Sequence, residues 1–456
     1  MRYDAIVIGS GQAGNPLWDK LTDRGWSVAL IEQAHLGGTC INSGCTPTKT
    51  MVASAQVAHY ARNAARWGVR TGAVTVDLPR IVARKDAVVQ QFRGARESLA
   101  ASRKNLHLFR GHARFVAPDR VTVGDQVLDG ARIFINTGTR PAIPRLGGLD
   151  SVAYLTSESI LELATLPEHL LVLGAGYVGL EFGQMFRRFG SRVTIVHKNN
   201  QILNREDADV AGELQKALEA EGIRFMLNAR TTRAAKQDGQ VALSLELPTG
   251  AEMLSGTHLL LATGRRPNTD DLGLDTAGVK TDPQGFIQVN ARLETSVSGI
   301  WALGDVKGGP AFTHISYDDY QIVYGNLVEG KNRSVEGRIV PYSVFTDPQL
   351  GRVGMTEKEA RATGRTLKVG EIPMTYVARA IERDETAGLM KLVVDGESDR
   401  ILGAAILATE GGELVHILEA LMLARAPYTV LRRAIYIHPT LAEGLFSLMD
   451  DVKVVA

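Results

Sequence analysis

Apolar positions along the chain fall into short runs that stop at glycine. Ala5 to Ile8 leads into Gly9-Ser10-Gly11-Gln12-Ala13-Gly14, and Val28 to Ile31 leads into Glu32. Leu170 to Leu173 leads into Gly174-Ala175-Gly176-Tyr177-Val178-Gly179, and Arg192 to Val196 leads into His197-Lys198-Asn199-Asn200. Ile133 to Ile135 and Leu259 to Ala262 each end at a Thr-Gly pair, Thr137-Gly138 and Thr263-Gly264, with Arg140-Pro141 and Arg266-Pro267 just beyond. Each run has the length of a strand, and each glycine cluster feeds a stretch that permits a helix. The matched landmarks make the chain internally repeated and predict an α/β fold, with two Rossmann-like dinucleotide-binding domains in series. Later the pattern changes. Strand-like Leu389 to Val394 and Ile401 to Ala408 precede an apolar helix from about Gly412 to Arg425, which predicts a C-terminal α+β domain. The expected boundaries are 1–148, 149–268, a return to the first fold at 269–338, and 339–456.

Length agrees with several domains, because 456 residues exceed what one hydrophobic core serves. Charge narrows the class: 51 basic residues nearly balance 50 acidic ones, and the arginines come in doublets such as Arg187-Arg188 and Arg432-Arg433, which read as solvated surface. No nucleic-acid or anionic-membrane partner is expected. The apolar runs are far shorter than the roughly 20 residues that span a bilayer, so no membrane segment is expected either. The chain enters a strand almost at its first residue, leaving no room for a secretory leader, and a cytoplasmic location is expected.

The first glycine cluster, with a strand before it and Glu32 spaced beyond it, has every part of a dinucleotide fingerprint. Gly9, Gly11 and Gly14 permit a tight turn and close approach of backbone to a pyrophosphate, and Glu32 accepts from ribose hydroxyls. Gly174, Gly176 and Gly179 repeat the pattern. There the second strand ends at His197 and Lys198 instead of an acid, so the two, helped by Arg205, favour NADPH over NADH, with NADH left open. A solvated basic turn is the plainer alternative. Gly304-Asp305, at the end of the apolar run Ile300 to Leu303, places a carboxylate where a cofactor polyol could bond it; a surface turn is the alternative.

The only two cysteines are Cys40 and Cys45, within Gly37-Gly38-Thr39-Cys40-Ile41-Asn42-Ser43-Gly44-Cys45-Thr46-Pro47-Thr48-Lys49. A bridge closing so short a loop removes little entropy from the unfolded chain, so a redox role explains the pair better than a structural one. Cys45 is expected near the N-terminus of a helix from about Pro47 to about Trp67, where unpaired N–H groups favour thiolate. A zinc half-site is the alternative, although no matching Cys or His pair is apparent.

This cysteine motif, the paired fingerprints, Gly299-Ile300-Trp301-Ala302-Leu303-Gly304-Asp305-Val306 and Ile437-His438-Pro439-Thr440-Leu441-Ala442-Glu443-Gly444 together resemble the flavoprotein disulfide reductases, which include glutathione reductase, lipoamide dehydrogenase and mercuric reductase. Within that family the segment from Gly304 to Asp319 is most similar to mercuric-reductase-like enzymes and to a reactive-chlorine-resistance reductase that reduces copper(II). The resemblance implies a flavoenzyme and assigns FAD to Gly9, Gly11, Gly14, Glu32, Gly38, Thr39, Lys49, Thr137, Gly138, Gly304 and Asp305. It assigns NADPH to Gly174, Gly176, Tyr177, Gly179, His197, Lys198 and Gly264, with Tyr177 as an aromatic gate. It implies that Cys45 is the flavin-side thiolate and Cys40 the outer thiol, that Lys49 pairs with Glu181, and that His438 with Glu443 is an acid/base pair serving the opposite subunit of a homodimer.

For the acceptor the resemblance favours Hg(II) or Cu(II), with Cys40 and Cys45 as contacts to the substrate metal and no structural metal site. Two features pull away from mercuric reductase: the sequence holds no vicinal cysteine pair, and it keeps the His-Pro motif. A small disulfide such as lipoamide is the alternative substrate. A flavin-bearing redox sensor or assembly subunit is the reading from another class.

Overall fold

The computed structural model describes residues 1–455. β1 (Ala5–Ile8) is buried at every position, as expected of a strand covered on both faces of a parallel sheet. It runs through the glycine turn into α1 (Gly14–Asp23) and returns as β2 (Val28–Glu32). The first sheet has five parallel strands in the order Ile300–Ala302, Ile133–Ile135, β1, β2, Leu106–Arg110. A strand from residue 300 thus completes a sheet begun at residue 5.

After β2 come α2 (Gly38–Asn42) and α3 (Cys45–Asn63). α3 starts two residues before the expected Pro47, which makes Cys45 its first residue. Pro47 is tolerated in the opening turn because its missing N–H would have no intrahelical partner there. The helix also stops earlier than expected, tightening into a 3-10 turn at Ala64–Trp67 that ends on left-handed Gly68.

The second parallel sheet is built the same way from β3 (His169–Leu173), α4 (Tyr177–Phe189) and β4 (Arg192–Val196), in the order Ile223–Met226, β4, β3, His258–Leu261. The two Thr-Gly landmarks do more than repeat each other. Thr139–Pro141 pairs antiparallel with Arg265–Pro267, so the matched ends of the two halves are joined directly.

α5 (Thr313–Val328) follows the last strand of the first sheet. Beyond it lies a six-stranded sheet in the order Tyr342–Val344, Gln349–Gly354, Ile401–Ala408, Leu389–Asp395, Leu367–Pro373, Lys453–Val455, carrying α6 (Gly411–Leu423) and α7 (Gly444–Asp451). Its pairings are antiparallel, and Leu389–Asp395 is buried along its whole length. A separate core, including Leu392, Ile406, Leu418 and Leu448, fills the space between this sheet and its helices. No helix among the described residues is long and apolar enough to cross a membrane.

Candidate active site

A cavity of about 1580 Å³ runs from the first glycine turn past both cysteines to α6. Its far end is shaped by bare backbone. Gly9 has φ +96°, and a Cβ there would stand 2.4 Å from Asn136 O; a Cβ on Gly14 would stand 2.3 Å from Gly9 O. Asn136, which follows the strand Ile133–Ile135, pins the turn by accepting from Gly14 N at 2.8 Å through Oδ1. Glu32 closes β2 with Oε2 accepting from Ser10 N at 2.9 Å and from Ser10 Oγ at 2.7 Å.

Asp305 lines the cavity and accepts from Thr139 Oγ1 at 3.1 Å. Burial pushes its pKa up against the pull of Arg265. Beneath it, fully buried Asp319 accepts from Gly304 N at 2.9 Å and meets Arg338 at 2.8 Å and Lys307 at 3.2 Å. A glycine turn opening onto a helix and the carboxylates of Glu32 and Asp305 line one cavity. These groups fit FAD.

Gly174 repeats the close approach at φ +113°, with a Cβ there 2.4 Å from Ala262 O, and a Cβ on Gly179 would be 2.0 Å from Gly174 O. His197 stands where Glu32 stands in the first half: its Nδ1 accepts from Ala175 N at 3.3 Å, and its Nε2 donates to Asn204 Oδ1 at 3.2 Å. Burial lowers its pKa and neighbouring Lys198 lowers it further, so the ring is neutral and the positive charge rests on exposed Lys198 and Arg205. Gly174, Gly176, Gly179, His197, Lys198 and Gly264 lie outside the cavity lining, beyond the C-terminal ends of the second sheet's strands. That is the side on which open α/β sheets bind ligands.

Cys40 on α2 and Cys45 at the head of α3 are both free cysteines, not joined in a disulfide. The Cys45 pKa is lowered to about 6, first because the Cys40 thiol donates to it, then through the Thr313 hydroxyl and the charge on Lys49, against burial. The Cys40 pKa is raised by the same bond seen from the donor's side. The negative charge therefore sits on Cys45. Thr313 Oγ1 lies 3.3 Å from its Sγ, and Thr313 opens α5, so the N-termini of two helices meet at one sulfur.

One turn beyond Cys45, Lys49 Nζ stands 2.6 Å from Glu181 Oε2 on α4, and the other carboxylate oxygen accepts from Phe345 N at 2.9 Å. Lys49 also lies 4.6 Å from the centroid of the Phe345 ring. Tyr177 heads α4 at the cavity wall, partly exposed rather than in the core, with its ring 6.2 Å from that of Phe312.

His438 and Glu443 pair with Nδ1 to Oε2 at 2.9 Å, yet neither lines the cavity of its own protomer. They lie on a segment where Ile435 is 100% and Ile437 79% exposed. The sequence did not single out Asn136, Phe312, Thr313, Asp319, Tyr342 or Phe345. Phe312, Thr313 and Asp319 fall inside the motif from Gly304 to Asp319, which carried the signal; Asn136 sits beside Thr137, where only the fold shows which side chain turns inward.

The sequence profile of the pyridine nucleotide-disulphide oxidoreductases matches residues 3–319, and the profile of that family's dimerisation domain matches residues 340–448. The chain is 39% identical to the probable pyridine nucleotide-disulfide oxidoreductase RclA of Escherichia coli K12, over 99% of this chain and 100% of that one. It is 34% identical to a mercuric reductase of Lysinibacillus sphaericus (97% and 81%) and 36% identical to a dihydrolipoyl dehydrogenase of Thermus scotoductus (98% and 97%). The solved Cu(II) complex of the HOCl-induced flavoprotein disulfide reductase RclA from Escherichia coli is similar in structure, with a TM-score of 0.90 at 38% identity over 99% of each chain.

Proposed function

Because the chain belongs to the pyridine nucleotide-disulphide oxidoreductases, we propose that it carries electrons from NADPH to a soft or redox-active metal ion, Cu(II) or Hg(II), through the Cys40–Cys45 couple. FAD, the family's flavin, would supply two-electron transfer between nicotinamide and the cysteines when bound. This chain's residues do the rest. The glycine turn and Glu32 would hold the dinucleotide, Asp305 would bond its polyol, and the Lys49–Glu181 pair sets charge beside the cysteines.

Reduction of the disulfide leaves a thiolate on Cys45 and a thiol on Cys40, the distribution that supports this reading most directly. Thiolates bind soft metals strongly. Reclosing the bond releases two electrons, enough for two Cu(II) to become Cu(I) or one Hg(II) to become metallic mercury, and frees the Cys40 proton. Mercuric reductases are among the relatives, and one similar structure is a Cu(II) complex.

A family dimerisation domain covers residues 340–448, and exposed Ile435 and Ile437 precede an acid/base pair that does not line the cysteine cavity of its own protomer. The protein thus works as a homodimer whose His438 and Glu443 serve the other subunit's cysteines. The four segments 1–148, 149–268, 269–338 and 339–456 serve as FAD, NADPH, central FAD and dimerisation parts, in a reducing cytoplasm that suits a cycling pair.

The test is NADPH consumption by the purified protein with Cu(II), Hg(II), lipoamide, oxidised glutathione, quinone and oxygen in parallel. The metal ions should raise the rate well above the oxygen background. The His438–Glu443 pair favours a second reading, a small disulfide as acceptor, and a preference for lipoamide or glutathione would replace the metal with it. No stimulation by any acceptor would leave the sensor or assembly reading.

A further inference from the structure

The hydroxyl that meets Cys45 belongs to the first residue of α5, where a helix is held by fewer of its own hydrogen bonds. Something outside the helix has to hold that turn. Phe312, the residue before it, is stacked with two other rings and meets Tyr177 at a tilt. Tyr342 stacks on it at 5.3 Å and His314 at 5.4 Å, each within 8° of parallel. Both of these stacked rings are anchored. The Tyr342 hydroxyl donates to the buried carboxylate of Glu206, which also holds Arg352 at 2.9 Å, and His314 Nε2 donates to Pro341 O at 2.7 Å. Aromatic pairs at these separations attract beyond their buried area.

We propose that Phe312 is a positioning residue for the redox centre: stacked on Tyr342 and His314, it fixes the start of α5 and so aims the Thr313 hydroxyl at Cys45 Sγ. The proposal rests on Cys45 as the thiolate centre and adds a side chain that acts only through Thr313. Cys40 from α2, Lys49 from α3 and Thr313 from α5 favour the thiolate and Glu181 from α4 opposes it, while Tyr177, also on α4, interacts with the same sulfur. Of these contacts the proposal makes the one from Thr313 depend on the ring stack.

The experiment uses the FAD-loaded Cys40→Ser protein, in which Cys45 is the sole cysteine. Its titration is read from the pH dependence of alkylation by iodoacetamide and, independently, from long-wavelength thiolate-to-flavin absorbance. In that background Phe312→Leu should raise the midpoint by about one pH unit. Thr313→Val should raise it equally, the two together no further, and Phe312→Tyr should restore the parent value. An unchanged midpoint in Phe312→Leu, or shifts that add in the double variant, would overturn the proposal. Should Phe312→Leu not fold, His314→Ala removes one of the two stacked rings at an exposed position. It should give the same non-additive rise with Thr313→Val, and no rise would be equally decisive against the idea. A parent protein without the long-wavelength band at any pH would remove the flavin-side role of Cys45, while the alkylation midpoints still decide on Phe312.

Discussion

Lys49 Nζ and Glu181 Oε2 stand 2.6 Å apart across the junction of the redox helix and the second nucleotide-binding helix. Glu181 is 4% exposed, and its other oxygen holds Phe345 N, so the pair joins three segments of chain. Glu181→Gln keeps an acceptor for Phe345 and removes only the charge. A charge-assisted hydrogen bond is worth about 1.5–3 kcal/mol, so flavin reduction by NADPH should slow about 10- to 100-fold with FAD content unchanged. Stopped-flow mixing with NADPH reads this; an unaltered rate would free the pair of any catalytic duty.

Thiolate chemistry gives a pH signature. The Cys45 pKa is depressed to about 6 from the ordinary thiol value, so the thiolate is present above that pH and lost as pH falls through it. In the two-electron-reduced protein, long-wavelength absorbance should therefore fade on acidification with a midpoint near that value. Lys49→Met removes a positive charge that favours the anion, and should move the midpoint up by about one unit or more. A midpoint that stays put would show that Lys49 exerts no field at the sulfur.

The parts legible in the sequence were those where local sterics leave one solution. Gly9 and Gly174 approach the backbone just beyond a neighbouring strand too closely for any Cβ, and the strand, glycine turn and helix of each half were legible together. The Lys49–Glu181 contact was legible because motif positions on two helices implied it. Other features depend on distance in space. Phe312 and Tyr342 are separated by a helix and a loop, so no pattern announces their stacking. The neutral state of His197 follows from burial, which the residue type does not reveal. The head of α3 falls at Cys45 rather than near Pro47 because Gly44, at φ −129° and ψ −113°, takes a backbone conformation outside the helical and extended regions just before it, which residue types alone do not announce.

Ile435 and Ile437 present two large apolar side chains to solvent in a single protomer, next to His438. Burying each against a second copy is worth about 1.5–3 kcal/mol, so charges there should be incompatible with association. Ile435→Asp combined with Ile437→Asp should weaken the dimer by about 100-fold or more and sediment as one protomer at concentrations where the parent is a dimer. FAD should remain bound, because no residue of the segment lines the cavity. A variant that still sediments as a dimer would place the interface elsewhere.

The repeated turn suggests how to change the nucleotide. Glu32 Oε2 accepts from Ser10 N, and His197 Nδ1 accepts from Ala175 N at the corresponding place in the second half. A carboxylate at 197 can take over that bond, accept from a free ribose hydroxyl and repel a 2′-phosphate. Lys198 supplies the opposing charge from an exposed position. His197→Glu with Lys198→Ala should therefore lower the ratio of kcat/KM for NADPH over NADH by about 10- to 100-fold, the value of one or two charge-assisted contacts. The loss should fall mainly on the NADPH term, through KM, while the Cys45 titration and FAD content stay as in the parent. Equal loss with both nucleotides would mean that His197 matters for holding the turn and that the phosphate is recognised by other residues.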